Sequence, residues 1–261
     1  MTGLHVESAG QGRAGVPLVL VHGWGMNAAA WGDFGERLAA AHPVYRVELP
    51  GHGRSTWDGA DTLADWAAAA RAAVPAGAVW VGWSLGVAVA LQAALDDPAA
   101  VAALVLVAGT PRFVQGGGWS NAMLPAVLEQ FTGNLLANPT ATLTRFLALQ
   151  VRGAEDAGGT LRRLKDALRE RPPARAEALR AGLELLRGTD LRPRLKALRP
   201  PALWLLGEHD TLVPAGMGWE LTEWLPAARV ETVAGAGHAP FLSHPGDVLA
   251  RMESFLEACL G

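Results

Sequence analysis

The stretch Val79-Trp80-Val81-Gly82-Trp83-Ser84-Leu85-Gly86 constrains this chain more than any other. An apolar run of strand length leads into Gly-x-Ser-x-Gly, and small helix-forming residues follow from Val87 to Leu95. That order predicts a buried strand turning sharply into a helix, with Ser84 at the apex. A residue at such a turn sits on a strained backbone, so its neighbours have to be small, which accounts for Gly82 and Gly86. The positive end of the helix behind the serine favours negative charge at that point. In a chain with 31 glycines the pattern alone can arise by chance. The strand before it and the helix after it set it apart. A serine so placed needs a base, an acid to orient the base, and N–H donors for an oxyanion.

The rest of the chain alternates apolar runs with helical patterns. Residues 4–9 read as an edge strand, followed by a glycine-rich turn from Gly10 to Gly15. Residues 17–21, 44–49, 78–82, 101–108, 202–206 and 228–233 read as further strands, several of them apolar throughout, as strands buried on both faces are. Helices are predicted over 27–41, 62–73 (capped by Asp61 or Thr62), behind Ser84, and over 245–260. The expected fold is α/β: a mostly parallel sheet flanked by helices. The alternation breaks at Thr110-Pro111. Helical patterns over 122–134, 141–152, 160–169 and 175–187 follow without a strand. The predicted organisation is a core of residues 1–111 and 191–261 with an all-helical cap, 112–190, inserted in one catalytic domain.

In such a sheet, functional groups emerge beyond the carboxyl ends of the strands. Asp210 follows strand 202–206 in Gly207-Glu208-His209-Asp210, and His238 follows strand 228–233 in Gly235-Ala236-Gly237-His238-Ala239-Pro240. The chain order Ser84, Asp210, His238 is that of a nucleophile, an orienting acid and a general base on an α/β sheet. Glu208 and His209 fall earlier in the same turn, and His244 follows His238 by six residues as an alternative that could simply begin the last helix. His5, His42 and His52 fit no catalytic slot, and His22 reads as a scaffold for its turn. The oxyanion donors are assigned to the backbone N–H groups of Leu85, which follows the serine, and Trp24, in the loop after strand 17–21. The Trp24 side chain reads either as a pocket wall or as packing, and so does Trp83 in a chain with 10 tryptophans.

Composition sets the remaining bounds. Half of the residues are hydrophobic and 18% are charged, enough to bury a sizeable core. The one cysteine, Cys259, forms no internal disulfide and reads as a packing residue of the last helix. No Cys/His cluster has metal-ligand spacing, and the serine chemistry requires no cofactor. Residues 1–10 carry no signal-peptide pattern and no apolar run spans a membrane, so a soluble, cytoplasmic protein is expected, with no nucleic-acid or membrane partner; a monomer is assumed, since the sequence carries no signal for oligomeric state. The net charge of −3 conceals an asymmetry. Residues 140–199 hold 14 Lys+Arg against 7 Asp+Glu, so the predicted cap is basic on an otherwise acidic chain. Such an asymmetry either steers an acidic partner or is a solvated, arginine-rich helix surface.

The motifs together resemble a known superfamily. His22-Gly23-Trp24, Leu49-Pro50-Gly51-His52-Gly53-Arg54-Ser55, Gly82-Trp83-Ser84-Leu85-Gly86 and the Asp210/His238 pair are similar to those of the α/β-hydrolases, over nearly the whole chain. Four further features narrow the resemblance: His22 to Asn27 with Trp31, the tryptophan before Ser84, Arg145-Phe146-Leu147-Ala148-Leu149-Gln150, and His238-Ala239-Pro240-Phe241 with Ser243-His244-Pro245. These resemble the pimeloyl-[acyl-carrier protein] methyl ester esterases of biotin synthesis. The resemblance implies hydrolysis of a pimeloyl methyl ester held on an acyl carrier protein, with release of methanol. It implies substrate contacts from Trp24, Ser84, Leu85 and His238, and a channel segment of Phe146, Leu147, Ala148, Leu149 and Gln150. It further implies carrier-protein contacts from Arg145 and Arg162. Two other positions that can carry arginine in the family are Ala141 and Gly158 here, leaving Arg152, Arg163, Arg169 and Arg171 as substitutes. Val87 stands where the family often has a glycine. A general short-acyl esterase and a lactone or carbon–carbon hydrolase share the same triad, and a non-catalytic ligand-binding module shares the fold.

Overall fold

The computed structural model describes residues 3–261, so the first two residues of the 1–10 stretch lie outside the described residues. The predicted strands form one seven-stranded sheet: β1 (Val6–Ala9), β2 (Leu18–Val21), β3 (Val44–Val47), β4 (Ala78–Trp83), β5 (Val101–Val107), β6 (Ala202–Gly207) and β7 (Arg229–Val233). The order across the sheet is β1-β3-β2-β4-β5-β6-β7. Only the edge strand β1 is antiparallel; every other pairing is parallel. β4, with the serine at its carboxyl end, lies in the middle.

The central strands are apolar throughout because both faces are covered, and their period of two splits the core. Val19, Val21, Trp80, Leu104, Leu106, Trp204 and Leu206 face one side, packed by α2 (Leu63–Ala72), α3 (Leu85–Asp96) and α8 (Met217–Trp224). Leu18, Leu20, Val79, Val81, Trp83, Val105, Val107, Leu203 and Leu205 face the other, packed by α1 (Gly32–Ala39) and α10 (Pro245–Leu260). Cys259 packs at the edge of this second side. Helix 27–41 is predicted as one piece but splits into a 3-10 turn, Ala28–Trp31, and α1. Asn27 caps that turn at the Ala29 N–H and donates its amide to Ala167 O. Of the two candidate caps for α2, Thr62 is the one used, accepting from the Asp65 N–H. Helix α8 and a one-turn α9 (Pro240–Ser243) carry no clear sequence periodicity and emerge only in the structure.

Between β5 and β6 run α4 (Pro125–Ala137), α5 (Pro139–Gln150), α6 (Ala157–Arg169) and α7 (Ala176–Gly188). The segment is not purely helical. Residues 113–123 fold into a small loop closed by the bridges Val114–Met123 and Gly116–Trp119. Arg192, almost fully buried, lies against the rings of Trp119 and Trp224 and binds Asp190. The inserted helices are tied to the sheet by Arg171, which joins Glu7 (2.7 Å) and approaches the fully buried Glu48 (3.7 Å). Among the described residues no helix is long and apolar enough to cross a membrane.

Candidate active site

Ser84 has φ 55° and ψ −115°, a conformation that costs a non-glycine residue on the order of 1–3 kcal/mol. Its surroundings hold it there. The Ser84 N–H donates to Val107 O (3.0 Å), and Ser84 O accepts from the Val87 N–H (2.9 Å). A Cβ on Gly82 would lie 2.5 Å from Gly86 O, and one on Gly86 would lie 2.1 Å from Val21 O. The two glycines of the motif are therefore close-approach positions between α3, β4 and β2. Val87 is accommodated by another glycine: a Cβ on Gly109 would lie 2.3 Å from Val87 Cγ2.

Two loops at the carboxyl edge of the sheet meet the serine. Ser84 Oγ donates to His238 Nε2 (2.9 Å), and His238 Nδ1–H donates to Asp210 Oδ2 (2.7 Å). The other oxygen, Asp210 Oδ1, accepts from the Leu212 (2.8 Å) and Val213 (3.0 Å) N–H groups, which fixes the carboxylate plane. The His238 backbone is held at both ends: its N–H by Gln150 O (2.9 Å) at the end of α5, its carbonyl by the Trp83 indole N–H (2.7 Å). The competitors lie elsewhere. His244 bonds Ser243 Oγ, Glu208 accepts from the Gly235 N–H, and His209 is exposed.

Trp24 is fully buried and anchors the insertion. Its indole N–H donates to Leu179 O (2.8 Å) in α7, and its ring packs edge-on against Phe131 of α4 and Phe146 of α5. Gly23 passes directly over the serine, since a Cβ there would lie 3.1 Å from Ser84 Cβ. The Leu85 N–H is the first of α3, a position an α-helix leaves without an intrahelical acceptor. Trp83 is a core residue rather than a pocket wall: its ring packs on Phe241 and its indole holds His238.

The predicted channel segment is divided by the helix that carries it. Consecutive residues of a helix point about 100° apart, so five in a row cannot line one channel. Phe146 packs on Trp24, Leu147 is buried on the opposite face of the core, and Ala148 is exposed. Gln150 is buried and offers its backbone carbonyl to His238. The cleft beside Ser84 is instead lined by Ala88, Thr110, Phe113, Leu185, Leu186 and Val213, with Gly109, Pro111 and Thr189. Most of its wall is apolar. The strand-end rule that found Asp210 also covers residues 109–113 and 213, which follow β5 and β6, but it gives no access to Leu185 and Leu186 on α7.

Burial holds two histidines of the scaffold neutral. His22 is lowered to about 3 by burial and then by the nearby His52, and burial lowers His52 to about 4. In the unfolded chain both titrate near 6.5. Between pH 6.5 and about 4 the unfolded chain therefore binds protons that the folded chain does not, and stability falls as pH falls through that window. The expected slope is up to about 1.4 kcal/mol per pH unit for each histidine. Asp190, held down to about 2 chiefly by Arg192, contributes only at more acid pH. Urea midpoints at pH 7 and pH 5 check this; equal midpoints would contradict it.

A family model described as alpha/beta hydrolase fold matches residues 16–245. The chain belongs to that family. Within it, this hydrolase-fold chain is 42% identical over 255 residues to the pimeloyl-[acyl-carrier protein] methyl ester esterase of Xanthomonas campestris pv. campestris, covering 98% of this chain and 99% of the relative. An esterase of known structure from Rhodococcus sp. ECU1013 superposes with a TM-score of 0.79 at 27% identity, covering 99% of this chain and 96% of that one. An esterase from Exiguobacterium antarcticum gives a TM-score of 0.85 at 20% identity over 98% and 96% of the two chains, a likeness of fold.

Proposed function

We propose that this chain is a serine carboxylesterase that hydrolyses the methyl ester of a pimeloyl chain on an acyl carrier protein, releasing methanol in biotin synthesis. The hydrogen-bonded array Ser84–His238–Asp210 carries the reaction class, and the near full-length likeness to the Xanthomonas enzyme supports the substrate. In this reading His238 takes the Ser84 proton as the hydroxyl attacks the ester carbonyl. The Trp24 and Leu85 amides stabilise the oxyanion. The carbonyl re-forms, and methanol leaves with the proton from His238. Water, deprotonated by His238, then attacks the acyl-enzyme, and Ser84 leaves with that proton from His238, while Asp210 orients the neutral imidazole and stabilises the imidazolium. The apolar residues from Ala88 to Val213 mark where the acyl group would enter, but the space between them is only about 10 Å³, room for one water, so the wall formed by α7 would have to open to admit the chain. The helices from 112 to 190 act as a cap over that space, contributing Leu185 and Leu186.

The same reading places the carrier protein on the basic outer face of that cap. Of the four substitute arginines, Arg171 is held by Glu7, while Arg163 and Arg169 make only exposed pairs with Asp156 and Asp166 and stay open to a partner. Arg152 lines an open groove between α4 and α5 together with Arg145, Phe131 and Ala148. Arg162 is exposed on α6. Hydrolysis of the carrier-bound methyl ester, followed by methanol release, tests the reading directly. Reversing Arg145 and Arg162 to glutamate is expected to lower kcat/KM on that substrate at least about tenfold more than on p-nitrophenyl butyrate, and to flatten its salt dependence. Equal losses on both substrates would remove the carrier from this face. A general short-acyl esterase would turn over the small ester and leave the carrier-bound one intact.

A further inference from the structure

Trp24 stands between two glycines, Gly23 and Gly25, the second with φ 71°. The backbone is permissive on both sides of it, so the position of the Trp24 amide depends on what holds the turn. The near end is held by the neutral ring of His22, which accepts from the Leu49 N–H (3.0 Å) and donates from Nδ1 to Gly23 O (2.8 Å). The far end is held through the Trp24 side chain, and α7 supplies its hydrogen bond: the indole N–H donates to Leu179 O (2.8 Å). One turn further along α7, Gly182 meets the same ring. A Cβ there would lie 2.7 Å from Trp24 Cδ1, 3.1 Å from Nε1 and 3.4 Å from Leu85 Cδ2. The glycine therefore rests the helix on the side chains of both residues read as oxyanion donors. Leu186 follows four residues later on the same face of α7, with Leu185 beside it, and both wall the space next to Ser84. The helix is tied down at both ends. The Arg175 N–H donates to Gly51 O (2.9 Å) before it, and the Leu191 N–H to Pro111 O (2.9 Å) after it.

We infer that Gly182 is a positioning residue that couples the inserted helix α7 to the reaction: by letting α7 lie directly against the Trp24 ring, it fixes the turn that carries the Trp24 N–H. The inference rests on the esterase reading above, in which that amide is one of two donors. It has a consequence for the order of events. The movement of α7 that admits an acyl chain past Leu185 and Leu186 takes Gly182 away from the ring, and the donor is aimed again when the helix returns. Full stabilisation of the oxyanion then belongs to the closed state, with the helix back over the bound chain.

Gly182→Ala tests this, with Gly188→Ala on the same helix as the control. Alanine favours a helix over glycine, so propensity acts in the same direction in both variants. Only at Gly182 does the new methyl meet a packed ring; nothing lies within 4 Å of a Cβ on Gly188. With p-nitrophenyl butyrate, Gly182→Ala is expected to lower kcat about ten- to fiftyfold with KM within about threefold of the native protein, and Gly188→Ala to leave both unchanged. A trifluoromethyl ketone with the same propyl chain provides the second readout. Ser84 Oγ adds to its carbonyl carbon as His238 takes the proton, and the hemiketal oxyanion so formed faces the donors. Its inhibition constant is expected to rise in Gly182→Ala by the factor lost in kcat/KM. Native kcat in Gly182→Ala overturns the assignment, as does a loss of kcat with unchanged ketone affinity. A loss carried by KM alone also overturns it, leaving Gly182 as part of the cleft wall. Should Gly182→Ala fail to fold, Trp24→Phe decides: it removes the bond to Leu179 O, adds no atom and keeps the backbone amide. Unchanged ketone affinity in that variant sinks the proposal, and a parallel loss of affinity and kcat/KM supports it. If the native protein neither turns over the ester nor is labelled at Ser84 by a fluorophosphonate, the esterase reading itself has failed, an outcome distinct from any difference among these variants.

Discussion

Replacing Ser84 by alanine is expected to lower ester turnover by at least about 10⁴-fold and to abolish covalent labelling by an organophosphonate, with the fold retained. The size follows from chemistry. Without Oγ there is no acyl-enzyme, and His238 has no proton to take; only binding and the oxyanion donors remain to act on a water. The fold should survive because the side chain makes a single hydrogen bond, to His238. Alanine at φ 55° inherits the strain of the serine and adds none. Turnover on p-nitrophenyl butyrate, read beside the thermal midpoint, checks both halves. Retention of most activity would remove Ser84 from the mechanism and leave the buried Ser84–His238–Asp210 chain without a purpose.

The second large effect is on folding. Gly86→Ala is expected to destabilise the protein by more than about 3 kcal/mol, beyond the usual range for an added methylene. The new Cβ would stand 2.1 Å from Val21 O and 2.9 Å from His22 O. Both are backbone atoms at the end of the central strand β2, so no side chain can turn aside. Relief needs α3 to move away from the sheet, taking the Leu85 amide with it. Gly133→Ala provides the contrast. That glycine lies within α4 with nothing near its Cβ position, and alanine there is expected to be neutral or stabilising by up to about 1 kcal/mol. Urea denaturation of the two variants measures the difference. A Gly86→Ala protein with a native midpoint would show that the close approach is not required.

Both effects trace to residues that can be picked out without a structure, and the reason is local. Strands buried on both faces have to be apolar, so β2, β4, β5 and β6 announce themselves. A parallel sheet puts its chemistry at one edge, so Asp210 and His238 are found by looking just past the strands. The turn at Ser84 tolerates only small neighbours, so Gly82 and Gly86 mark it. Other features depend on which partner a residue meets. Leu185 and Leu186 line the cleft only because α7 folds back against the serine turn and the loop after β5. Phe146, Leu147 and Ala148 are neighbours in sequence, and the helical turn sends them to three different environments. The arginines look alike as a run of charge; tertiary contacts tie Arg171 to Glu7 of the edge strand and leave Arg145 and Arg152 along the same groove.

The sequence by itself determined the sheet, the serine turn and the order of its partners, because each depends on periodicity or on backbone sterics within a few residues. The tertiary structure alone decided how those partners are held. The two bonds of His22, the clamp of Trp83 and Gln150 on His238, and the aromatic seat of Trp24 in the inserted helices join residues up to 155 positions apart. Such contacts are fixed by the packing of whole elements, which no short stretch of chain encodes.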